Sequence, residues 1–489
     1  MTLPEWVQKH KQKGTEIRTH NNTYYLYKIT SKYDPKIKRS RKITQQYLGK
    51  ITPQGLTKPK PQTLKENLQQ ITTKEYAATN LILTQCQDII KHLQHHYPQQ
   101  WQQITTFAIA RLFHQSPLKN IQTHYQTSHL SDALPNTQVS PETLSKLLHD
   151  IGQRRQTMTQ FMQNFQTGDQ IIIDLTHIFS LSEGVISATL GHNHQKQYLP
   201  QINLILLLSL EKKTPSFFRL VSGSIRDVST VVNSVKEAQL KEALLIGDKG
   251  FYSEANLLAL EDKSVNVQYV LPLKRNSVLI SYAPMRSGDR EVFDGCFQFD
   301  KRVIWFKEQK LELEQGSGGR RVILFLDEFL RVEEEKDFVS YAVKSAEKKK
   351  VELDLSGFFG RQFCMGTIAV VTNCGFGAQR VFELLKERVE VEQVFDVFKN
   401  TLCADRSFMR DDWGLQGWMF VNFVALLFYY RLYDLLLGCD VLSKYSVEDV
   451  VLHFSRVFKL KIGDKWVLSE IPKSSRILAE KLKVKISIT

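Results

Sequence analysis

Cysteine is scarce and unpatterned in this sequence. Six residues (Cys86, Cys296, Cys364, Cys374, Cys403 and Cys439) are spread over 489, and no two form a Cys-x-x-Cys pair. That spacing argues against a zinc finger and a disulfide framework, and it fits a reducing cytosol. The start of the chain, Met1 to Gly14, is polar and charged, unlike a signal peptide. Long hydrophobic runs are missing too. The most apolar stretch, Trp418 to Tyr430, is cut short by Arg431, so it is expected to be a core helix and no membrane partner is expected. Internal repeats and low-complexity tracts are not evident. Acidic residues are rare near the beginning: residues 1–60 hold 3 Asp and Glu against 14 Lys and Arg.

What is present is positive charge. The formal charge is +14 and the pI about 9.3. Such a balance favours a polyanionic partner, most plausibly nucleic acid. The excess of 11 in residues 1–60 marks that segment as a small basic β module. Tyr24 to Ile29 and Lys42 to Gly49 are rich in β-branched and aromatic residues and are expected as strands. Between them Lys36, Lys38, Arg39, Arg41 and Lys42 form a basic hairpin loop suited to the DNA backbone. A linker is expected over 55–64. Residues 65–165 form a helical domain, a candidate for binding DNA ends, with amphipathic segments at Tyr76 to Tyr97 and Trp101 to His114. Ser140-Pro141-Glu142 is a helix start, with Ser140 as cap and Pro141 in the first turn.

From residue 170 the pattern becomes α/β. Ile171 to Ile173 run into Asp174, and Leu244 to Ile246 run through Gly247 into Asp248. Both carboxylates are expected at the tips of buried strands, where open α/β sheets place their chemistry. Two adjacent carboxylates repel unless a cation or proton lies between them. Further strands are expected at 201–210, 216–222 and 267–272, and helices at 229–241 and 254–261. Three consecutive strands followed by helix, strand, helix, strand is the order of an RNase H-like domain. The expected architecture is therefore an RNase H-like catalytic core over 170–272 and 363–437. A β-rich insertion at 273–362 interrupts it, and a C-terminal region follows at 438–489.

A helix over 378–400 carries the candidates for a third acid. Arg388, Glu392 and Lys399, at i, i+4 and i+11, fall near one stripe. Glu383 and Glu387 suit surface ion pairs with Lys386 and Arg388, and Glu390, off the stripe, stays open as an alternative third acid. His192-Asn193-His194 has a metal-ligand spacing but no third ligand nearby, so a loop or strand edge is expected. His177 reads equally as a site neighbour or a buried, hydrogen-bonded histidine. Trp413 and Trp418 are expected in the core.

These residues resemble a DDE transposase of bacterial and archaeal insertion sequences, in the group with a β-strand insertion and the signature Tyr-x2-Arg-x3-Glu-x6-Lys. Arg388, Glu392 and Lys399 match the signature in spacing, with Leu385 in place of its Tyr. Asp248-Lys249-Gly250-Phe251-Tyr252 and Asp174-Leu175-Thr176 resemble the two Asp elements. Ser222-Gly223-Ser224-Ile225-Arg226-Asp227 resembles a Gly-then-Asp element that precedes the second. The resemblance implies phosphoryl transfer on double-stranded DNA, at terminal inverted repeats and at a target, by a homodimer on paired ends. Asp174, Asp248 and Glu392 would be the catalytic residues and metal ligands for two Mg²⁺ or Mn²⁺ ions, which hard oxygen donors favour over zinc. Arg388 and Lys399 would hold phosphates. A cytoplasmic, nucleoid-associated location is expected. Two alternatives are a catalytically inactive DNA-binding descendant and a metal-dependent nuclease.

Overall fold

The computed structural model describes residues 3–34, 38–59, 71–166, 168, 170–191, 198–224, 229–311, 319–350 and 352–488. Lys36, His192 to His194 and Ile225 to Asp227 lie outside these residues. The chain forms two compact units, one from Met1–Ala78 with Leu452–Thr489 and one from Thr79–Val451.

The first unit opens with an antiparallel sheet in the order β1 (Thr15–His20), β2 (Thr23–Asp34), β3 (Arg39–Thr52), β4 (Gly55–Thr57). Val7, Leu26 and Ile51 are its small core. The hairpin strands are longer than the expected ones. Asp34 pairs with Arg39, Lys32 with Arg41 and Ser31 with Lys42. Thr30, Ile43 and Thr44 favour extended backbone, so the ladder runs on into what the charge pattern marks as loop. Among the described residues of this basic run, Arg39, Arg41 and Lys42 therefore stand on a strand and Lys38 in the turn. A short strand, β5 (Thr72–Glu75), ends the first segment of this unit.

The second unit begins with helices α1 (Ala77–Gln85), α2 (Gln87–His96), α3 (Trp101–His114), α4 (Leu118–Thr127), α5 (Pro141–Gln153) and α6 (Arg155–Gln163). The single helix expected over 76–97 breaks at Cys86. Ser140 caps α5 as expected, its Oγ accepting the Thr143 N–H at 3.3 Å.

An eleven-stranded mixed sheet follows. Its strands are β6 (Gln170–Ser180), β7 (Thr189–Leu190), β8 (Pro200–Ser209), β9 (Thr214–Ser222), β10 (Leu244–Ile246), β11 (Gln268–Pro272), β12 (Gly295–Phe299), β13 (Arg302–Lys310), β14 (Arg321–Asp327), β15 (Thr367–Thr372) and β16 (Arg406–Ser407). In space, β9, β8 and β6 are antiparallel neighbours, and β6, β10 and β11 run parallel. Helices α7 (Ser229–Glu237) and α8 (Glu254–Glu261) make the connections. This mixed α/β arrangement fits the RNase H-like expectation.

Residues 273–362, expected as a β-rich insertion, contain strands and a long helix. β12, β13 and β14 extend the same sheet through β15, and a 22-residue helix, α9 (Glu328–Lys349), follows them. The expected helix over 378–400 is three pieces: α10 (Ala378–Glu387), α11 (Val389–Asp396) and a π turn at Val397–Thr401.

The helical and α/β segments form one unit around α12 (Asp412–Gly438). This helix is longer than the expected core helix. It is long and apolar enough to cross a membrane, yet 72% of its most apolar window is buried inside the protein. It crosses α5 at two glycines. A Cβ on Gly417 would overlap the carbonyl of Leu148, and one on Gly152 the carbonyl of Trp413. Trp418 is buried as expected, whereas Trp413, the second residue of α12, is half exposed. Beyond Val451, β17 (Phe458–Ile462) and β18 (Lys465–Leu468) return to the first unit, where β17 pairs with β5. The segment 438–489 thus belongs partly to each unit.

Candidate active site

Asp174 does not end its strand. β6 continues to Ser180 because β8 pairs with it from Ile171 to Phe179. The opposite edge of β6 is shared. β10 takes Gln170 to Ile172 and β16 takes Phe179 and Ser180. Among the described residues, 173–178 have no strand partner on that edge. Asp174 stands in this gap, and α11 packs against the strand. The last rung between β6 and β10 joins Ile172 to Ile246. Asp174 and Asp248 each stand two residues further on, so the parallel register sets them side by side.

Arg388 lies at the break between α10 and α11. Its guanidinium stands 3.2 Å from Asp174 Oδ2, 3.9 Å from Asp248 Oδ1 and 3.5 Å from Glu392 Oε1. The three acids named from the sequence therefore converge on one positive centre. Asp174 is the deepest, with its side chain 16% exposed, against 61% for Glu392. Burial pushes the Asp174 carboxyl up to about 6, and the neighbouring Asp248 and Glu392 push the same way. The Leu175 N–H, donated to Asp174 Oδ1 at 2.8 Å, and Arg388 oppose this rise.

Lys399 sits in the π turn, which adds a residue to the helical turn and breaks the simple i+11 stripe. Burial lowers its pKa, while Asp405 and Asp174 raise it, so Lys399 still feels the field of the acids. Glu383 and Glu387 both pair with Arg380, at 3.4 and 2.8 Å, in place of Lys386 and Arg388. His177 is buried on β6, its ring edge-on to Phe179.

One residue escapes a sequence reading. Arg111 of α3 is buried, and its guanidinium donates to Asn422 Oδ1 at 3.1 Å, to the carbonyls of Gln115 and Ser116 at 2.9 and 3.1 Å, and to the carbonyl of Leu402. It fastens the chain just after the π turn to α12. Its only sequence signal is a cation within an apolar helical run.

Among the described residues, no three His, Cys, Asp or Glu side chains already form a metal-binding group. The donor chemistry nevertheless suits a hard divalent cation. Three carboxylates converge on one point where the chain itself supplies positive charge.

Comparison with known proteins adds a family. A family model described as "Transposase DDE domain" matches residues 166–428. Among solved structures, one similar chain is a piggyBac transposase in a synaptic complex with hairpin DNA. It is 10% identical, with a TM-score of 0.38 over 64% of this chain and 57% of that one. Another is Mos1 transposase in a paired-end complex with the left transposon end, 9% identical, with a TM-score of 0.15 over 32% and 53%. The chain thus spans little more than half the length of these proteins. No curated protein matches it.

Proposed function

Because the chain belongs to the transposase DDE domain family, we propose that it is a DNA transposase of a bacterial or archaeal insertion sequence, cutting at the element's ends and joining the freed 3′-ends to target DNA. The observation that carries this reading is the convergence of Asp174, Asp248 and Glu392 on the Arg388 guanidinium. Asp174, Asp248 and Glu392 would hold the metal ions. Bound there, a pair of Mg²⁺ or Mn²⁺ ions supplies activation of a water or 3′-hydroxyl and stabilisation of the leaving 3′-oxygen. Asp174, buried and raised to about 6, keeps its proton only below that pH, and at neutral pH its ionised carboxylate calls for positive charge beside it. Arg388 serves as the counter-ion of the acids when no metal is present. Arg388 and Lys399 would hold the phosphate at the cut. Lys38, Arg39, Arg41 and Lys42 on the hairpin, together with Lys36 of the same basic run in the sequence, grip the DNA backbone. Two copies act on paired ends.

The test is cleavage of DNA carrying the gene's own flanking sequence in Mg²⁺, comparing wild type with Asp248→Asn. Metal-dependent cuts at the flank ends that vanish in the variant support the assignment. Specific binding without a cut in Mg²⁺ or Mn²⁺ identifies an inactive DNA-binding descendant. Cuts that persist in the variant place the chemistry on other residues.

A further inference from the structure

Between the π turn and α12 runs a short stretch, Asp405 to Asp411. Its exposure alternates: Arg406, Phe408 and Arg410 face solvent, while Ser407 is buried and Met409 half-buried. Phe408 is 85% exposed, a high value for an aromatic ring next to a core helix. The stretch is firmly built. Arg406 and Ser407 form β16 against Phe179 and Ser180, and the Phe179 N–H donates to the Asp405 carbonyl at 3.0 Å. The Met409 N–H donates to Ser407 Oγ, and the Arg410 carbonyl lies so close to Gly184 that no Cβ would fit there.

The acids nearby are engaged. Asp411 caps α12 and lies 3.9 Å from His149, Asp412 accepts the N–H groups of Ile186 and Ser187, and Asp405 lies 3.9 Å from Arg406. A hydrogen-bonded ledge thus presents an exposed aromatic ring with an exposed arginine two residues to either side in the chain. It occupies the same edge of β6 as Asp174. From Asp174 to Ser180 is six strand residues, about 20 Å.

We propose that Arg406, Phe408 and Arg410 form a stacking site for an unpaired nucleotide of a DNA strand that continues past the acids. This rests on the transposase reading. The ring takes the base and the two arginines take flanking phosphates. A duplex covers its base faces within the stack, so an exposed aromatic flanked by cations suits a strand whose bases are unpaired. The site is distinct from the three acids and from the basic hairpin.

Fluorescence anisotropy of the full chain tests it, using a duplex with a short single-stranded tail and the same duplex fully paired. Phe408→Ala should weaken binding to the tailed duplex about tenfold and leave the paired duplex unchanged, because stacking acts on unpaired bases. Phe408→Trp should restore binding. Arg406→Ala with Arg410→Ala should make the salt dependence on the tailed duplex shallower by roughly 1.4 in log–log slope, two single-strand phosphate contacts. If wild type binds DNA and Phe408→Ala matches it on both probes, or loses equally on both, the stacking site is overturned and the transposase reading stands. If Phe408→Ala instead shifts the oligomeric state with DNA affinity unchanged, the ledge is a contact between copies and the proposal fails. A wild type that binds neither probe overturns both.

Discussion

Burial holds the Asp174 carboxyl at about 6, above its ordinary range near 3.9. Between those values the folded, metal-free protein keeps a proton that the unfolded chain gives up. Asp174 therefore favours the fold fully below about pH 4, and that contribution is lost as pH rises through about 6. At pH 7 its ionised form is a liability unless a cation joins it. Asp174→Asn is expected to stabilise the protein by about 3 kcal/mol at pH 7 in EDTA, shrinking towards zero at pH 4. Denaturant melts at both pH values check this, and a less stable variant at pH 7 contradicts it. The two Asp residues stand out in the sequence because each ends an apolar run. Their union with Glu392 through Arg388 does not, since it depends on a parallel register and on a helix break at Arg388, both set by distant neighbours.

At the scale of elements, local signals carried far where caps and punctuation were strong. Trp101–His114 forms over the expected span, and Ser140 caps its helix. They failed where pairing was long-range. Asp174 looks like a strand end, but β8 and β16 carry β6 six residues further. The strands of 273–362 read as an insertion, and their sequence does not say that they join the main sheet through β15. The crossing of α5 and α12 has its own test. Gly417→Ala puts a methyl group against the Leu148 carbonyl and is expected to cost about 1–3 kcal/mol. Gly438→Ala, on the same helix with nothing within 4 Å, should be neutral or stabilising. Thermal melts compare the two, and equal stabilities would mean that the crossing tolerates a side chain.

Across the whole molecule, net charge is the feature that composition states most directly. An excess of 11 positive charges sits in residues 1–60. Replacing Lys38, Arg39 and Arg41 with Gln should make duplex binding less salt-dependent by about 2.7 in log–log slope, three lost phosphate contacts. Undiminished binding and slope would remove the hairpin from the DNA interface. That the first unit draws on both chain segments, β5 meeting β17 some 380 residues later, has no local signature at all. The gap in β6 has a different kind of consequence. Any stretch of strand without a neighbour is a template on which a foreign strand can add, the usual route to aggregation. Here the vacant edge is six residues long, closed at both ends by β10 and β16 and faced by α11. It also carries an inward acid, and inward charges and short edges are two devices by which sheets repel intruders. The same carboxylate that the proposed chemistry needs thus guards the strand against self-association. A site variant that removes it should be watched for solubility as well as activity.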